Sequence, residues 1–405
     1  MTKTLSQQEL LAAAQAYQPR AVNFLRDLVR IRSVNGRDAE SAVAERVLQE
    51  ARALDLPARL IAKDALRPNA LVELGTGKQG FLLVAHMDTV PEGDASAWEH
   101  PPFEAVVENG ILFGRGAADN KAGIACSLYT LALLREHNLL DLDKFRVQFA
   151  GVVDEENGAS STLGVRYLLE QNLIQARGAI YTYTSDIVCV GHRGLLRLAL
   201  SAHGQTVHSG SAEWSQRSAG LNAVTALAAI LVKLEALRLP YPQHPAFAHL
   251  GCTITPGTTF NGGEWQGMVP ALAKATVDVR LMPGQDAAQV IAAVDAVIKA
   301  EETLRPGLRV ERDITINLPG AAIPLDHPLV LTAQKYARAF SGRDWLAQGA
   351  GPANEGYMLI GAGIPTLCGF GATGGNPHAP DEWVELDSLA KTMAMYTAII
   401  VESVQ

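Results

Sequence analysis

Two rhythms of apolar and polar positions alternate through the first half of the chain. Short apolar runs at 70–74, 81–85, 145–153 and 179–183 are bounded by Gly, Pro, Asn or Asp, as expected of buried strands. Between them, apolar residues recur at helical spacing over 39–54, 120–136 and 162–171. This alternation predicts an α/β layer architecture with a mostly parallel sheet. At the N-terminus, Leu5, Leu10, Leu11, Ala14 and Tyr17 give 1–18 the pattern of an amphipathic helix that Pro19 ends.

After Gly191-His192-Arg193-Gly194 the order changes to strand 195–202, helix 219–237, strands 252–255 and 273–281, helix 287–302 and strand 309–316. That order is a split βαβ, ferredoxin-like α+β module able to stand apart from the main sheet. Leu318-Pro319-Gly320 reads as a linker, followed by a helix over 328–340 and a strand over 366–370. The expectation is a large α/β domain over 1–194 and 318–405, interrupted by a smaller domain over 195–317. A chain of 405 residues is long enough for two cores.

Composition narrows the function classes. With 48% hydrophobic and 19% charged residues, the chain has ample material for a globular core. A net charge of −8 argues against nucleic-acid or anionic-membrane partners, which need concentrated Lys and Arg. No apolar run is long enough to span a bilayer, and the N-terminus lacks the pattern of a secretory signal. Cys126, Cys189, Cys252 and Cys368 lie far apart and form no CxxC, so buried free thiols in a reducing, cytoplasmic setting are expected.

Four segments carry candidate chemistry. The run at 81–85 leads into His86-Met87-Asp88, whose alternate residues share a face if the strand persists. That spacing suits a metal-binding imidazole held by a carboxylate, or a structural polar pair. Gly114-Arg115-Gly116-Ala117-Ala118-Asp119 places Asp119 at a helix start, where it is either a ligand or an N-cap. Asp154-Glu155-Glu156 follows an apolar strand, and His378 sits in the Gly/Pro-rich loop 374–382. Open α/β sheets bind ligands beyond the carboxyl ends of their strands, which would bring all four together. Imidazoles and carboxylates without cysteine suit Zn2+, with Co2+ or Mn2+ as alternatives. Of two adjacent glutamates, one can bind metal while the other moves a proton, a division of labour suited to amide hydrolysis.

With these motifs in order, nearly the whole chain resembles the M20 metallopeptidases. That family includes acetylornithine deacetylase, succinyl-diaminopimelate desuccinylase, aminoacylase and glutamate carboxypeptidase. The resemblance also covers Trp98, Pro102-Phe103 and Asp381-Glu382. It implies that Asp119 bridges two metals, Glu156 and His378 complete one site, and His86 serves the other. It makes Glu155 the general acid/base and Asp88 the residue that orients His86. The inserted domain would be a lid and dimerisation domain, giving a homodimer. Its Val207-His208-Ser209-Gly210 would supply an oxyanion-stabilising histidine, though His208 alone also fits an exposed loop residue. Asp278-Val279-Arg280 would supply an arginine for the substrate carboxylate; Arg280 could instead pair with Asp278.

The match departs at three places. The carboxylate that is the family's third protein ligand at the His86 metal falls on or near Thr182. Asp186 could substitute, the site could bind weakly, or one metal on Asp119, Glu156 and His378 could suffice, so one or two Zn2+ per chain are open. Gly267 stands where Asn is frequent, and Asn354-Glu355 lies in a stretch that is often acidic. The favoured function is a metal-dependent amidohydrolase acting on a small N-acyl amino acid or peptide. The alternative is a non-catalytic relative that binds amino-acid derivatives or a protein partner.

Overall fold

Ser6 accepts the Glu9 amide (3.3 Å) and Glu9 accepts the Ser6 amide (2.8 Å), a reciprocal cap that starts the first helix. The computed structural model, which describes residues 2–404, carries that helix, α1, over Gln7–Arg30. Met1, where the expected helix began, lies outside the described residues. Contrary to expectation, Pro19 does not end α1. An interior proline costs about 3 kcal/mol, but the turns after it bury Ala21, Phe24, Leu25, Leu28 and Val29. Each large apolar side chain so buried returns about 1.5–3 kcal/mol, so packing outweighs the local preference.

Then follow α2 (Ser41–Ala53), β1 (Ala58–Ile61), β2 (Asn69–Leu74) and β3 (Gln79–His86). Two short strands, β4 (Val106–Glu108) and β5 (Ile111–Phe113), precede α3 (Ala122–Glu136). Next come β6 (Phe145–Val152), α4 (Val165–Glu170), β7 (Gly178–Thr182) and β8 (Val188–His192).

Residues 193–321, with Gly351–Ala353, form a unit with its own core. It contains β9 (Gly194–His203), a short α5 (Ala212–Ser215), α6 (Ala223–Ala236), β10 (Thr253–Gly262), β11 (Leu272–Leu281), α7 (Ala287–Leu304) and β12 (Arg309–Leu318). The strands pair antiparallel in the order β10-β11-β9-β12, the ferredoxin-like arrangement. Leu196, Leu198 and Leu200 point inward from β9 and join Leu227 and Ile230 of α6 and Val294 of α7 in the core. Asn222 and Asp286 cap the two long helices by accepting the Thr225 and Ala288 amides.

The chain returns through β13 (Ala321–Ala322), α8 (Pro328–Ser341), β14 (Ala347–Ala350), α9 (Gly356–Gly361), β15 (Thr366–Phe370), β16 (Gly374–Gly375), β17 (Trp383–Glu385) and α10 (Leu386–Val404). Residues 2–192, Ala322–Ala350 and 354–404 make the larger unit. Its main sheet has the order β1-β2-β6-β3-β7-β15-β8-β13, with β14 beside β8. The centre, β6-β3-β7-β15, is parallel. β1, β2 and β6 pair antiparallel on one side, and β15 with β8 on the other, so the sheet is mixed.

Several elements lie outside the sequence expectation. α10 was not expected, because it is buried on nearly every side and shows no polar face. A small sheet, β16-β17-β5-β4, is made of strands too short to display a period of two. α3 starts at Ala122 and α6 at Ala223, each later than the apolar pattern suggested, and β10 runs on to Gly262. The four cysteines are unpaired; Cys252 is half-buried and the other three are buried. Among the described residues, no helix is long and apolar enough to cross a membrane.

On α6, Ile230 is fully buried while Val232 is 66% exposed. Ile230→Ala is therefore expected to cost about 2–5 kcal/mol, and Val232→Ala no more than about 0.5 kcal/mol. Urea denaturation of the two variants checks this, and equal losses would contradict the assigned core.

Candidate metal centre

Strand register brings the His86 and Asp154–Glu156 segments together. β3 and β6 run parallel with His86 opposite Val152, so both chains leave the sheet at the same end. The Met87 amide still bonds the Val152 carbonyl (2.8 Å), and Asp154-Glu155-Glu156 follows within the next turn. Asp154 adopts φ 66°, a left-handed conformation unfavourable for a side chain with Cβ, and neighbouring contacts hold it there. Arg67 Nη1 donates to Asp154 Oδ1 (2.7 Å) while its guanidinium also grips buried Glu40. Asn35 Nδ2 donates to Asp154 Oδ1 (3.1 Å) and to Asp88 Oδ2 (2.6 Å).

Asp88 is fully buried, and its carboxylate accepts the amides of Glu155 (3.3 Å) and Glu156 (3.0 Å). The acidic loop is thus clamped from beneath. His86 Nδ1 lies 3.0 Å from the Asp88 backbone carbonyl and 3.6 Å from its carboxylate. A carbonyl can only accept, so Nδ1 carries a hydrogen and Nε2 is the nitrogen that would give up its proton to a metal. That Nε2 stands 2.8 Å from Asp119 Oδ1.

Asp119 is not an N-cap. α3 begins three residues later, and Asp119 itself has φ −127° and ψ 87° in an irregular turn. Gly114 and Gly116 open this turn with positive φ, and the Asp119–Asn120 peptide is cis. Glu382 holds the turn by accepting the amides of Gly116, Ala118 and Asp119 together with Arg115 Nη1. The Asp119 carboxylate then spans two imidazoles: Oδ1 faces His86, and Oδ2 lies 3.3 Å from His378 Nε2. His378 is exposed, and its Nε2 also lies 3.2 Å from Glu156 Oε1.

Ligand atoms of Asp119, Glu156 and His378 all lie within 4.8 Å of one another, and so do those of His86, Glu155 and Glu156. Zinc bonds of about 2.1 Å at tetrahedral angles need donors about 3.4 Å apart. The His378 contacts of 3.2 and 3.3 Å meet that spacing, so these side chains fit a divalent cation. The two groups share Glu156, and filling the His86 group draws in Glu155 as well.

The charges settle one another. Burial pushes the Asp119 carboxyl up, but hydrogen bonds from His378 and His86 outweigh it and hold the carboxyl below its ordinary value. Burial lowers His86, yet Asp119 and Asp88 carry it well above the usual histidine range. Glu155 is raised well above the carboxylate range, first by burial, then by Glu156, Asp119 and Glu355, with His86 opposing. Glu355, fully buried beneath the site, is pushed up to about 8 by burial and by Asp88, and accepts from Tyr181 (3.1 Å). The Tyr183 ring packs against His86, and its hydroxyl lies 3.5 Å from Glu155 Oε1.

Thr182 adds no ligand. It is buried in β7, with its hydroxyl 3.0 Å from the Val84 carbonyl and 3.1 Å from Asn120 Oδ1. Asp186, one of three alternatives left open by the sequence, is exposed and belongs to neither ligand group. His208 and Arg280 lie in the smaller unit. His208 is exposed and its Nδ1 accepts the Gly210 amide (3.0 Å). Arg280 Nε donates to Asp278 Oδ1 (2.8 Å), and Asp278 also takes Arg197 (3.0 Å). The supports Asn35, Glu40, Arg67 and Tyr183 carry no motif of their own, and Glu382 was visible only as part of the His378 segment.

The sequence model of peptidase family M20/M25/M40 matches residues 82–402. An uncharacterized metallohydrolase of Methanocaldococcus jannaschii is 25% identical, over 94% of this chain and 98% of its own. A probable succinyl-diaminopimelate desuccinylase of Staphylococcus epidermidis is 25% identical, over 80% of this chain and 82% of its own. The crystal structure of aminopeptidase PepT from Bacillus cereus superposes with a TM-score of 0.75, at 20% identity, covering 96% of this chain and 99% of that one. The last is a likeness of fold.

Hydrogen bonds to Asp119 and then Glu156 push His378 up to about 10 in the cation-free chain. The imidazole therefore keeps its proton through neutral pH, and proton and cation compete for Nε2. Apparent Zn2+ affinity is expected to rise about tenfold per pH unit for each proton displaced. Calorimetric titration from about pH 6 to about pH 8 checks this; a flat profile would contradict it.

Proposed function

The chain belongs to peptidase family M20/M25/M40 and is a metal-dependent hydrolase, and from that premise we propose that it cleaves the amide bond of a small N-acyl amino acid or peptide. The observation that carries this reading is the convergence of Asp119, Glu156 and His378 beside Glu155, a carboxyl that this ligand group does not require. Asp119, Glu156 and His378 would hold a divalent cation, Zn2+ on the chemistry of the donors, which when bound would supply Lewis-acid polarisation of the amide carbonyl and lower the pKa of an adjacent water.

The chain's own residues do the rest. Glu155, 5% exposed, is the proton carrier: as a carboxylate it takes a proton from the attacking water, and as an acid it delivers one to the departing nitrogen. Asp88 keeps Glu155 and Glu156 in place through their amides, and its carbonyl fixes the His86 tautomer. A second cation at His86 would draw on Asp119, Glu155 and Glu156, which the first cation and the proton carrier also need, and Thr182 contributes no charge. The His378 side is accordingly the stronger place, and the second the weaker.

The smaller unit supplies recognition in this reading. Asp278 engages Arg280 through Nε, which leaves the forked Nη groups for a substrate carboxylate. His208, with Nδ1 turned to the Gly210 amide, offers Nε2 to a developing oxyanion, in its own subunit or in that of a homodimeric partner. Unpaired cysteines fit a reducing, cytoplasmic setting. A binding-only relative is not favoured, because the ligand group and the proton carrier are both intact.

Zn2+-loaded protein is expected to hydrolyse at least one member of a panel of N-acetyl, N-succinyl and dipeptide substrates. Glu155→Gln should lower kcat by about 10²–10⁴-fold with bound Zn2+ retained. Activity that survives both this change and chelation would remove the mechanism.

A further inference from the structure

The carboxylate with the most complete set of hydrogen bonds in the larger unit is not one of the ligands. Glu382 has no exposed surface and presents both oxygens to the turn that carries Asp119. Oε2 accepts from Arg115 Nη1 (2.7 Å) and the Gly116 amide (3.0 Å). Oε1 accepts from the amides of Ala118 (2.9 Å) and Asp119 (2.8 Å). Its backbone carbonyl also takes the Gly114 amide (2.8 Å), one step beyond the β17–β5 pairing. The segment that bears His378 thus runs directly into the residue that gathers the Asp119 turn. On its other side, Asp381 ties the segment down by accepting the Glu99 and His100 amides.

We infer that Glu382 is the positioning residue of the cation site: its two oxygens fix the backbone of Gly116, Ala118 and Asp119, and so hold the Asp119 carboxylate between His86 and His378. The inference rests on the cation site proposed above. A purely structural role, as the buried partner of Arg115, makes a different prediction. Three of the four donors are backbone amides, and removing Arg115 leaves all three satisfied. Glutamine at 382 keeps the shape but replaces one oxygen with an NH2 group. One pair of donors then faces another donor, and the turn must move.

Outer partners of metal ligands typically contribute 10–100-fold in metal affinity. Glu382→Gln, shown to be folded by circular dichroism, is expected to raise the Zn2+ dissociation constant by about 10–100-fold. Excess Zn2+ should restore kcat with KM unchanged. Arg115→Met should lower the unfolding midpoint yet shift the Zn2+ dissociation constant by less than about threefold. A folded Glu382→Gln protein that binds Zn2+ like the wild type overturns the inference, as does an equal loss in Arg115→Met. A wild-type chain that binds no Zn2+ overturns the site itself instead. Hydrogen exchange on the wild type decides the matter should Glu382→Gln not fold. The amides of Gly116, Ala118 and Asp119 are expected to be protected without Zn2+, and fast exchange there overturns the inference.

Discussion

The carboxylate of Asp119, lying between His86 and His378, is the contact on which the larger unit is organised. It brings with it a problem of like charge. Asp88, Asp119, Asp154, Glu155, Glu355 and Glu382 are all buried in this one unit, with Glu156 half-buried among them. Carboxylates withdrawn from water cost free energy unless each finds a donor or a countercharge. The fold supplies both. Asp154 receives Arg67 and Asn35, Asp88 receives two amides and Asn35, and Glu382 receives Arg115 and three amides. Among the described residues, the Asp119 and Glu156 carboxylates have only imidazoles as hydrogen-bond partners, one of which they share. Without a metal those imidazoles hold their protons as the countercharge, and a divalent cation would take the place of the protons, so the chemistry and the electrostatics of the fold point to the same place.

Parallel strands make the arrangement possible at all. Because β3, β6, β7 and β15 run the same way, His86 and the Asp154–Glu156 loop emerge at one end of the sheet, from the strand pair in which His86 faces Val152. The Asp119 and His378 segments arrive by another route, a small antiparallel sheet in which β5 leads into the Asp119 turn and β17 follows the His378 loop. Glu382 links these two segments.

Much of this was legible in the chain. Apolar runs ending in His86 and in Asp154 read directly as buried strands meeting a loop, since period and flanking glycines reflect burial on both faces. The ferredoxin-like order of the smaller unit was equally plain, because β9 and β11 alternate in burial and α6 and α7 are long enough to show a helical period. What escaped has physical causes. α10 is packed on nearly every side and so lacks the polar face that betrays a helix. β4, β5 and β17 have three residues each, too few for an alternation. Pro19 misled because local preference is a small term beside the burial of Phe24 and Leu25. Asp119 could not be told from an N-cap until its irregular backbone was seen. Asn35, Glu40 and Arg67 act through long-range contacts, which no local pattern records.

Diffraction at the zinc absorption edge from crystals grown with Zn2+ would show where the cation sits. An anomalous peak is expected about 2.0–2.2 Å from Asp119, Glu156 and His378 together. A peak elsewhere, or full zinc binding with these three side chains turned away from it, would mean that they do not hold the metal.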